Sequence, residues 1–367
     1  MTTVTDISTK PKFAVLGAGH GGLAMAGHLA LLGFSVNLYN RTQERLWGVL
    51  SSGGIILEGE VEGFGIIPVA TTDIEEALEG VDIIMVVVPA TAHRFMAEQC
   101  APFLRDRQMI ILNPGRTFGA LEFKQVIREK GCQADVIIAE TQTFIYASRT
   151  TGPGQNRIFR IKYAVPVASL RAHRIPEVLQ RIRCAFPQFV AGDNIFKTSF
   201  DNIGAVFHPA LCILNAGWIE DALQFEFYHQ GVTRSVSLVL EEIDNERVAV
   251  AEALGFRAMT AREWLYLAYN ASGNSLYEAM RANLGYRGIM APTHLNMRYI
   301  TEDVPCSLVP IASIGDMFRV PTPTIKSIVF LASAIHACDY FKEGRTVERL
   351  GIANMSLKEL RRLAIGQ

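Results

Sequence analysis

At 367 residues the chain is long enough for more than one domain, since domains commonly run to about 100–200 residues. Apolar residues make up 49%, enough for a sizeable core, and a net charge of −1 without a basic block or stripe argues against a nucleic-acid surface. No apolar run reaches the roughly 18 residues that cross a bilayer, so no membrane partner is expected.

Residues 1–10 are polar and show no apolar signal segment. Cysteines stand at 100, 132, 184, 212, 306 and 338, with no C-x-x-C pair. Neither a bound metal nor a disulfide framework is expected, and a reducing, cytoplasmic setting fits.

The stretch at 12–45 organises the first half. An apolar β-type run at 13–16 ends at Gly17, and Gly17, Gly19 and Gly22 then form G-x-G-x-x-G, with His20 and Gly21 inside it. The first glycine allows a tight turn, the second lets backbone approach a pyrophosphate, and the third lets helix pack close to strand. Leu23, Ala26, Leu29, Ala30 and Leu32 give a helical pattern stopped by Gly33, and a second strand is expected at 35–39. Strand, turn, helix and strand within about thirty residues make one βαβ unit, so a bound dinucleotide is expected.

An NAD site usually places Asp or Glu at the end of the second strand, to accept from the ribose 2′-hydroxyl. Here Asn40 is followed by Arg41, Thr42 and, one turn on, Arg45. A neutral amide beside guanidinium groups suits a 2′-phosphate, so NADP is expected, with NAD as the alternative.

Short strands are expected at 55–57 and 64–69, and Asp73 can cap a helix through Leu78. The run VDIIMVVV at 81–88 is apolar on both faces, as a covered parallel strand should be. Pro89 and Ala90 end it. A strand at 109–112, a turn at Asn113-Pro114-Gly115, a helix from Thr117 to Glu129 and a strand at 135–139 repeat the logic. Pro89, Asn113 and the polar loop at 140–143 lie where ligands of open α/β sheets bind, outside the carboxyl ends of strands. One or two strands at 157–167 and a helix at 175–186 close the domain.

From about 192 onward helical periodicity dominates. Val236, Val239, Leu240, Ile243, Val250, Ala251 and Leu254 make the clearest stripe, interrupted by Arg247, which is expected to pair with Asp244. Further helices are read at 261–271, 276–284, 308–319, 324–336 and 357–365. The expected fold is therefore α/β, with an N-terminal doubly wound Rossmann-type domain at 1–192 followed by an all-α domain at 193–367. A cleft between such domains is a common place for small-molecule sites.

Among eight histidines, His208 stands out, preceding Pro209 in FDNIGAVFHPALCILNAG with Asn202 just upstream. A late polar interval at 287–305 holds Arg287, His294, Asn296, Arg298, Glu302 and Asp303. Irregular polar segments on a rigid scaffold often carry function.

FHP at 207–209, NMRYITEDVP at 296–305, FKEGRTVERLG at 341–351, LNPG at 112–115 and the helix EEIDNERVAVAEALG resemble the octopine/nopaline (opine) dehydrogenase family. The resemblance covers nearly the whole chain and is strongest to the bacterial N-(1-carboxyethyl)-norvaline dehydrogenase type. It implies reductive condensation of an amino acid's amino group with a 2-keto acid, by imine formation and hydride transfer from NAD(P)H. It implies His208 as the catalytic histidine, Asp303 as its partner and Arg298 as the holder of a substrate carboxylate; Asn202, just upstream of His208, is expected to contact the substrate as well. The chemistry agrees. Asp303 would fix the imidazole tautomer, and Arg298 can grip a carboxylate by two parallel bonds. Two departures stand out: the bacterial type carries Asp where this chain has Asn40, and Arg116 after NPG is unusual. The rivals are a ketopantoate or 2-hydroxyacid reductase of the same architecture, which would normally employ a lysine, and a non-catalytic NADP(H)-sensing protein. A homodimer is allowed for.

Overall fold

The computed structural model describes residues 10–366, so the polar stretch at 1–9, read as lacking a signal segment, lies outside the described residues. The strands are β1 (Phe13–Leu16), β2 (Val36–Tyr39), β3 (Gly54–Gly59), β4 (Gly63–Ile66), β5 (Val69–Thr71), β6 (Ile83–Val86), β7 (Met109–Leu112), β8 (Ile137–Thr141), β9 (Tyr146–Gly152), β10 (Gln155–Ile161), β11 (Val165–Ser169) and β12 (Phe189–Ala191). Eight of them form one sheet in the order β12-β11-β8-β7-β6-β1-β2-β5. From β5 to β8 the strands are parallel and follow the order of a doubly wound dinucleotide fold once the β3–β4 excursion is set aside. β11 then joins antiparallel to β8, and β12 runs parallel to β11. Every residue of β1, β2, β6 and β7 is buried, which explains the unbroken apolar runs of β1, β6 and β7; in β2 the buried Asn37 donates to the Ala77 carbonyl at 3.0 Å.

The other four strands form a small sheet, β4-β3-β10-β9. The helix His20–Leu31 packs on it, close enough that a side chain at Gly27 would sit 3.0–3.1 Å from Leu57 and Ile55.

Several expectations change. The run at 64–69 is two strands in two sheets, broken around Pro68, because β4 pairs with β3 while β5 pairs with β2. The strand placed at 135–139 is β8, which starts and ends two residues later. Glu140 and Thr141, read as loop, are therefore strand residues at 0% and 1% exposure. Thr117 lies two residues before the following helix, Gly119–Glu129, and its hydroxyl donates to the Ser199 carbonyl at 3.2 Å. Asp73 does cap the helix Ile74–Leu78, accepting from the Glu75 amide at 2.9 Å.

By its internal contacts the chain divides into two compact units. The first comprises the residues up to Gly115, Phe123–Ile195 and the stretch from Leu363 onward; the second comprises Arg116–Glu122 and Phe196–Arg362. The second unit is helical, with helices at Gly204–Leu214, Arg234–Ala253, Ala261–Tyr269, Leu276–Ala282, Val309–Met317 and Pro323–His336 among others. Arg247, 1% exposed, pairs with Asp244 through Nη2 at 2.6 Å and also donates to the carbonyls of Phe200 and Met259. It is a structural ion pair.

No helix of the described residues is long and apolar enough to cross a membrane. All six cysteines are free, and burial pushes the Cys212 and Cys306 thiols up to about 12.

Candidate active site

In the first unit, β1 ends at Gly17 and the helix His20–Leu31 begins directly after Gly19. Gly17 has φ +117, and a Cβ there would stand 2.4 Å from the Val87 carbonyl oxygen. At Gly22 a Cβ would come within 1.7 Å of the Gly17 carbonyl oxygen, so helix and turn touch backbone to backbone. Gly21 is small for another reason: the Phe144 ring lies 2.7 Å from where its Cβ would be. Gly19 differs from all three, because a Cβ there would meet nothing within 4 Å. The open glycine heads a helix with no side-chain cap and no acidic residue in its first turn. Free space and the positive end of the helix dipole together fit a pyrophosphate.

The His20 ring is held against Thr150. Its Nδ1 accepts from the Thr150 amide at 3.0 Å, and its carbonyl accepts from Asn156 Nδ2 at 2.8 Å, which ties the turn to β9 and β10. Asn40 Oδ1 accepts from the Ala18 amide at 3.0 Å, while its Nδ2 donates to Thr42 O and Oγ1. Asn40 thus ties the glycine turn, through Ala18, to the segment that follows β2. Arg41 is exposed, with its guanidinium 5.6 Å from the centre of the Phe95 ring. Pro89 is exposed just beyond β6. Asn113, at the end of β7, donates to the Ile111 carbonyl, and its buried Oδ1 has no hydrogen-bond partner, which leaves an acceptor for a ligand hydroxyl or amide.

The second unit holds the proton chemistry. His208 lies on the helix Gly204–Leu214, and Pro209 beside it cannot bond back to the Ala205 carbonyl. Gly204 makes room for the ring, since a Cβ there would sit 2.9 Å from His208 Cε1. His208 Nδ1 lies 2.8 Å from Asp303 Oδ2, and Asp303 is 0% exposed. A carboxylate can only accept, so Nδ1 carries the hydrogen and Nε2 presents its lone pair. That lone pair faces the Tyr228 hydroxyl at 3.0 Å. Burial first, then the neighbouring Tyr299 and Tyr286, push the Tyr228 phenol well above its ordinary range, so it stays a donor. Tyr299 stacks on the imidazole face, with centroids 4.1 Å apart and planes at 17°.

Glu302 closes one helical turn, Arg298–Thr301, and Asp303 opens a π-helical stretch, Val304–Leu308. Glu302 and Asp303 are buried, so the polar interval read as loop sinks its acidic end into the protein. Arg298 lies on that turn, with Nε and Nη2 both 2.7 Å from Glu302 Oε2. Its side chain is 60% exposed, leaving the outer edge of the guanidinium for a ligand. Asn202 is 6% exposed. Its Nδ2 donates to Ser307 Oγ at 2.9 Å and its Oδ1 accepts from Arg116 Nη1 at 3.3 Å. These two bonds hold the Asn202 amide in place within the site.

Three further histidines have local partners. His28 meets the Tyr146 hydroxyl at 2.8 Å, His229 the Asn283 carbonyl at 3.0 Å, and His336 the Tyr340 hydroxyl at 2.6 Å. Sequence reasoning missed Tyr228 and Tyr299. Their one available signal is an aromatic run at 225–229 and a tyrosine directly after Arg298. No group of three or more His, Cys, Asp or Glu among the described residues is arranged to hold a metal.

Comparison with known proteins agrees with this layout. Residues 191–336 match the family model described as NAD/NADP octopine/nopaline dehydrogenase, alpha-helical domain. Residues 12–117 match that of the NAD binding domain of 6-phosphogluconate dehydrogenase. An opine dehydrogenase of Arthrobacter sp. (strain 1C) is 39% identical over 95% of this chain and 97% of its own length. Among solved structures, octopine dehydrogenase with NADH and L-arginine superposes with a TM-score of 0.81, at 21% identity and 98% of each chain. Yersinopine dehydrogenase with NADP+ bound gives 0.78, at 14% identity, over 96% of this chain and 99% of that one. At these identities the two structures speak to the fold alone.

Proposed function

Because the chain belongs to the octopine/nopaline dehydrogenase family, and so is an NAD(P)H-dependent enzyme that reductively condenses an amino acid with a 2-keto acid, we propose specific roles for its residues. His208 is the proton donor and acceptor, Asp303 orients it, and Arg298 binds the keto-acid carboxylate. The observation that carries this reading is the 2.8 Å contact between His208 Nδ1 and Oδ2 of the buried Asp303, one residue from the Glu302 that holds Arg298.

In the forward direction imidazolium gives a proton to the departing hydroxyl of the carbinolamine, which yields the imine. In reverse, neutral His208 takes a proton from the amine nitrogen or the attacking water. Asp303 stabilises the cation that forms in between. Arg298, anchored along one edge by Glu302, offers its other donors to a carboxylate in a fixed orientation. The nicotinamide cofactor supplies the hydride when bound. Gly17, Gly19 and Gly22 fit its pyrophosphate, and Asn113 Oδ1 is the acceptor available further along the sheet edge. Tyr228 shields Nε2 until substrate takes its place.

NADPH is the preferred reductant in this reading, and the cytoplasm its setting, the latter supported by six free thiols. Support for NADPH comes from Asn40, which is spent on the turn, and Arg41, which Phe95 steadies beside it. A guanidinium–phosphate contact is worth about 1.5–3 kcal/mol, or roughly tenfold or more in affinity. Steady-state kinetics of Arg41→Ala should therefore show KM for NADPH raised at least about tenfold and KM for NADH nearly unchanged. Equal rises, or a parent enzyme that prefers NADH, would return Arg41 to the solvated surface.

A further inference from the structure

Arg116 has no part in the mechanism above, yet the second unit delivers it to the centre of the site. Arg116 and Phe118 both have left-handed backbones, with φ 57 and 60, which side-chain-bearing residues adopt only under constraint. The constraint is visible. Thr117 donates its amide to the Cys306 carbonyl and its hydroxyl to the Ser199 carbonyl, and the Phe118 amide donates to Ser199 Oγ at 3.0 Å. Arg345 clamps the Thr117 carbonyl at 3.0 Å and pairs with Glu122 at 2.6 Å. So fixed, Arg116 places Nη1 3.2 Å from Asp303 Oδ1 and Nη2 3.5 Å from Glu302 Oε2, with Asn202 bracing Nη1. Asp303 Oδ1 is buried and makes no hydrogen bond of its own.

We propose that Arg116 is a positioning residue that couples the two halves of the site: one guanidinium sets the charge balance of the His208–Asp303 pair and aims Arg298 through Glu302. The proposal rests on the roles given above to His208 and Arg298.

The neighbours make the charge argument specific. Facing the pair are Tyr228, Tyr299, Cys212 and Cys306, with the Arg345–Glu122 pair beyond Cys306. Burial pushes the Tyr228 phenol and both thiols upward, Cys212 and Cys306 to about 12, so these three do not change charge near neutral pH. Burial opposes the charge on Arg116, but Asp303 and Glu302 outweigh it and hold the guanidinium more firmly protonated than usual. Arg116 is therefore a fixed positive charge beside the histidine's own partner. Its removal leaves Asp303 with one cation to make, imidazolium, so the proton affinity of His208 rises.

The test follows the His208 ring in protein labelled with 13C at histidine Cε1, with the signal assigned by its loss in His208→Gln. Arg116→Gln should raise the titration midpoint of His208 by about one pH unit. The acid limb of opine oxidation, which needs neutral His208, should move up by the same amount. Arg116→Lys keeps the charge, so the midpoint should stay put, but a compact ammonium cannot span both carboxylates and KM for the keto acid should rise several-fold. An unmoved midpoint in folded Arg116→Gln overturns the proposal. Should that variant not fold, Arg116→Lys decides: a normal keto-acid KM overturns the coupling role, and a raised one supports it. Because the NMR titration needs no turnover, a failure of the proposed catalytic roles would be seen separately, as a chain whose His208→Gln variant keeps full activity.

Discussion

Replacing His208 by alanine is expected to lower kcat by roughly 10²–10⁴-fold, the range for loss of a general acid–base. KM for NADPH should hold, because the glycine turn belongs to the other unit. Asp303→Asn is expected to cost a comparable amount. The amide can donate to Nδ1, which favours the tautomer with Nε2 protonated, and it removes the negative charge that Arg116 faces. The informative variant is the double. Since Asp303 acts through His208, the pair should be no slower than the worse single mutant. Losses that multiply in full would mean separate roles, and an active, stable His208→Ala protein would make this histidine a core residue.

The second large effect concerns the glycine turn, where two neighbouring glycines should fail in different ways. Gly22→Ala puts a methyl group into the Gly17 carbonyl, 1.7 Å from its oxygen, against backbone that cannot yield. Overpacking of this kind costs about 1–3 kcal/mol, so both thermal stability and cofactor affinity should drop, the latter on the order of 100-fold. Gly19→Ala meets no protein atom within 4 Å, so Tm should stay near the parent value. The same methyl occupies the space where backbone must approach a pyrophosphate, and cofactor affinity should still fall by about tenfold or more, as one lost charge-assisted bond would give. Calorimetry of both variants with NADPH and NADH checks this. A Gly19→Ala protein that binds cofactor normally would move the pyrophosphate away from this turn.

What could be read from the chain alone divides along physical lines. The βαβ start was legible because each of its signals is local: an apolar run, three spaced glycines, a helical stripe and Gly33 with φ +80. The small sheet was not. β3 pairs with β10, about a hundred residues later, and nothing in a strand's own composition names so distant a partner. Glu140 reads as loop because the stretch at 140–143 is polar, whereas it is buried in β8, and no local pattern announces a buried charge. At the site, His208 was notable by residue type, but its link to Asp303 came from the family resemblance. Tyr228 and Tyr299 look like ordinary core aromatics until the fold stacks one on the imidazole and aims the other at Nε2. Arg116 was seen as unusual, and only the left-handed turn that carries it shows where it points.

Reductive condensation is distinguished from simple keto reduction by what the cofactor's hydride ends up in. The decisive measurement is NADPH oxidation across a matrix of keto acids against amino acids, with mass spectrometry of the product. The account predicts slow oxidation with keto acid alone and fast oxidation once the right amino acid is added. One secondary amine, joining both carbon skeletons, should form for each NADPH consumed. Rapid turnover of a keto acid without any amine, yielding a 2-hydroxy acid, would contradict it.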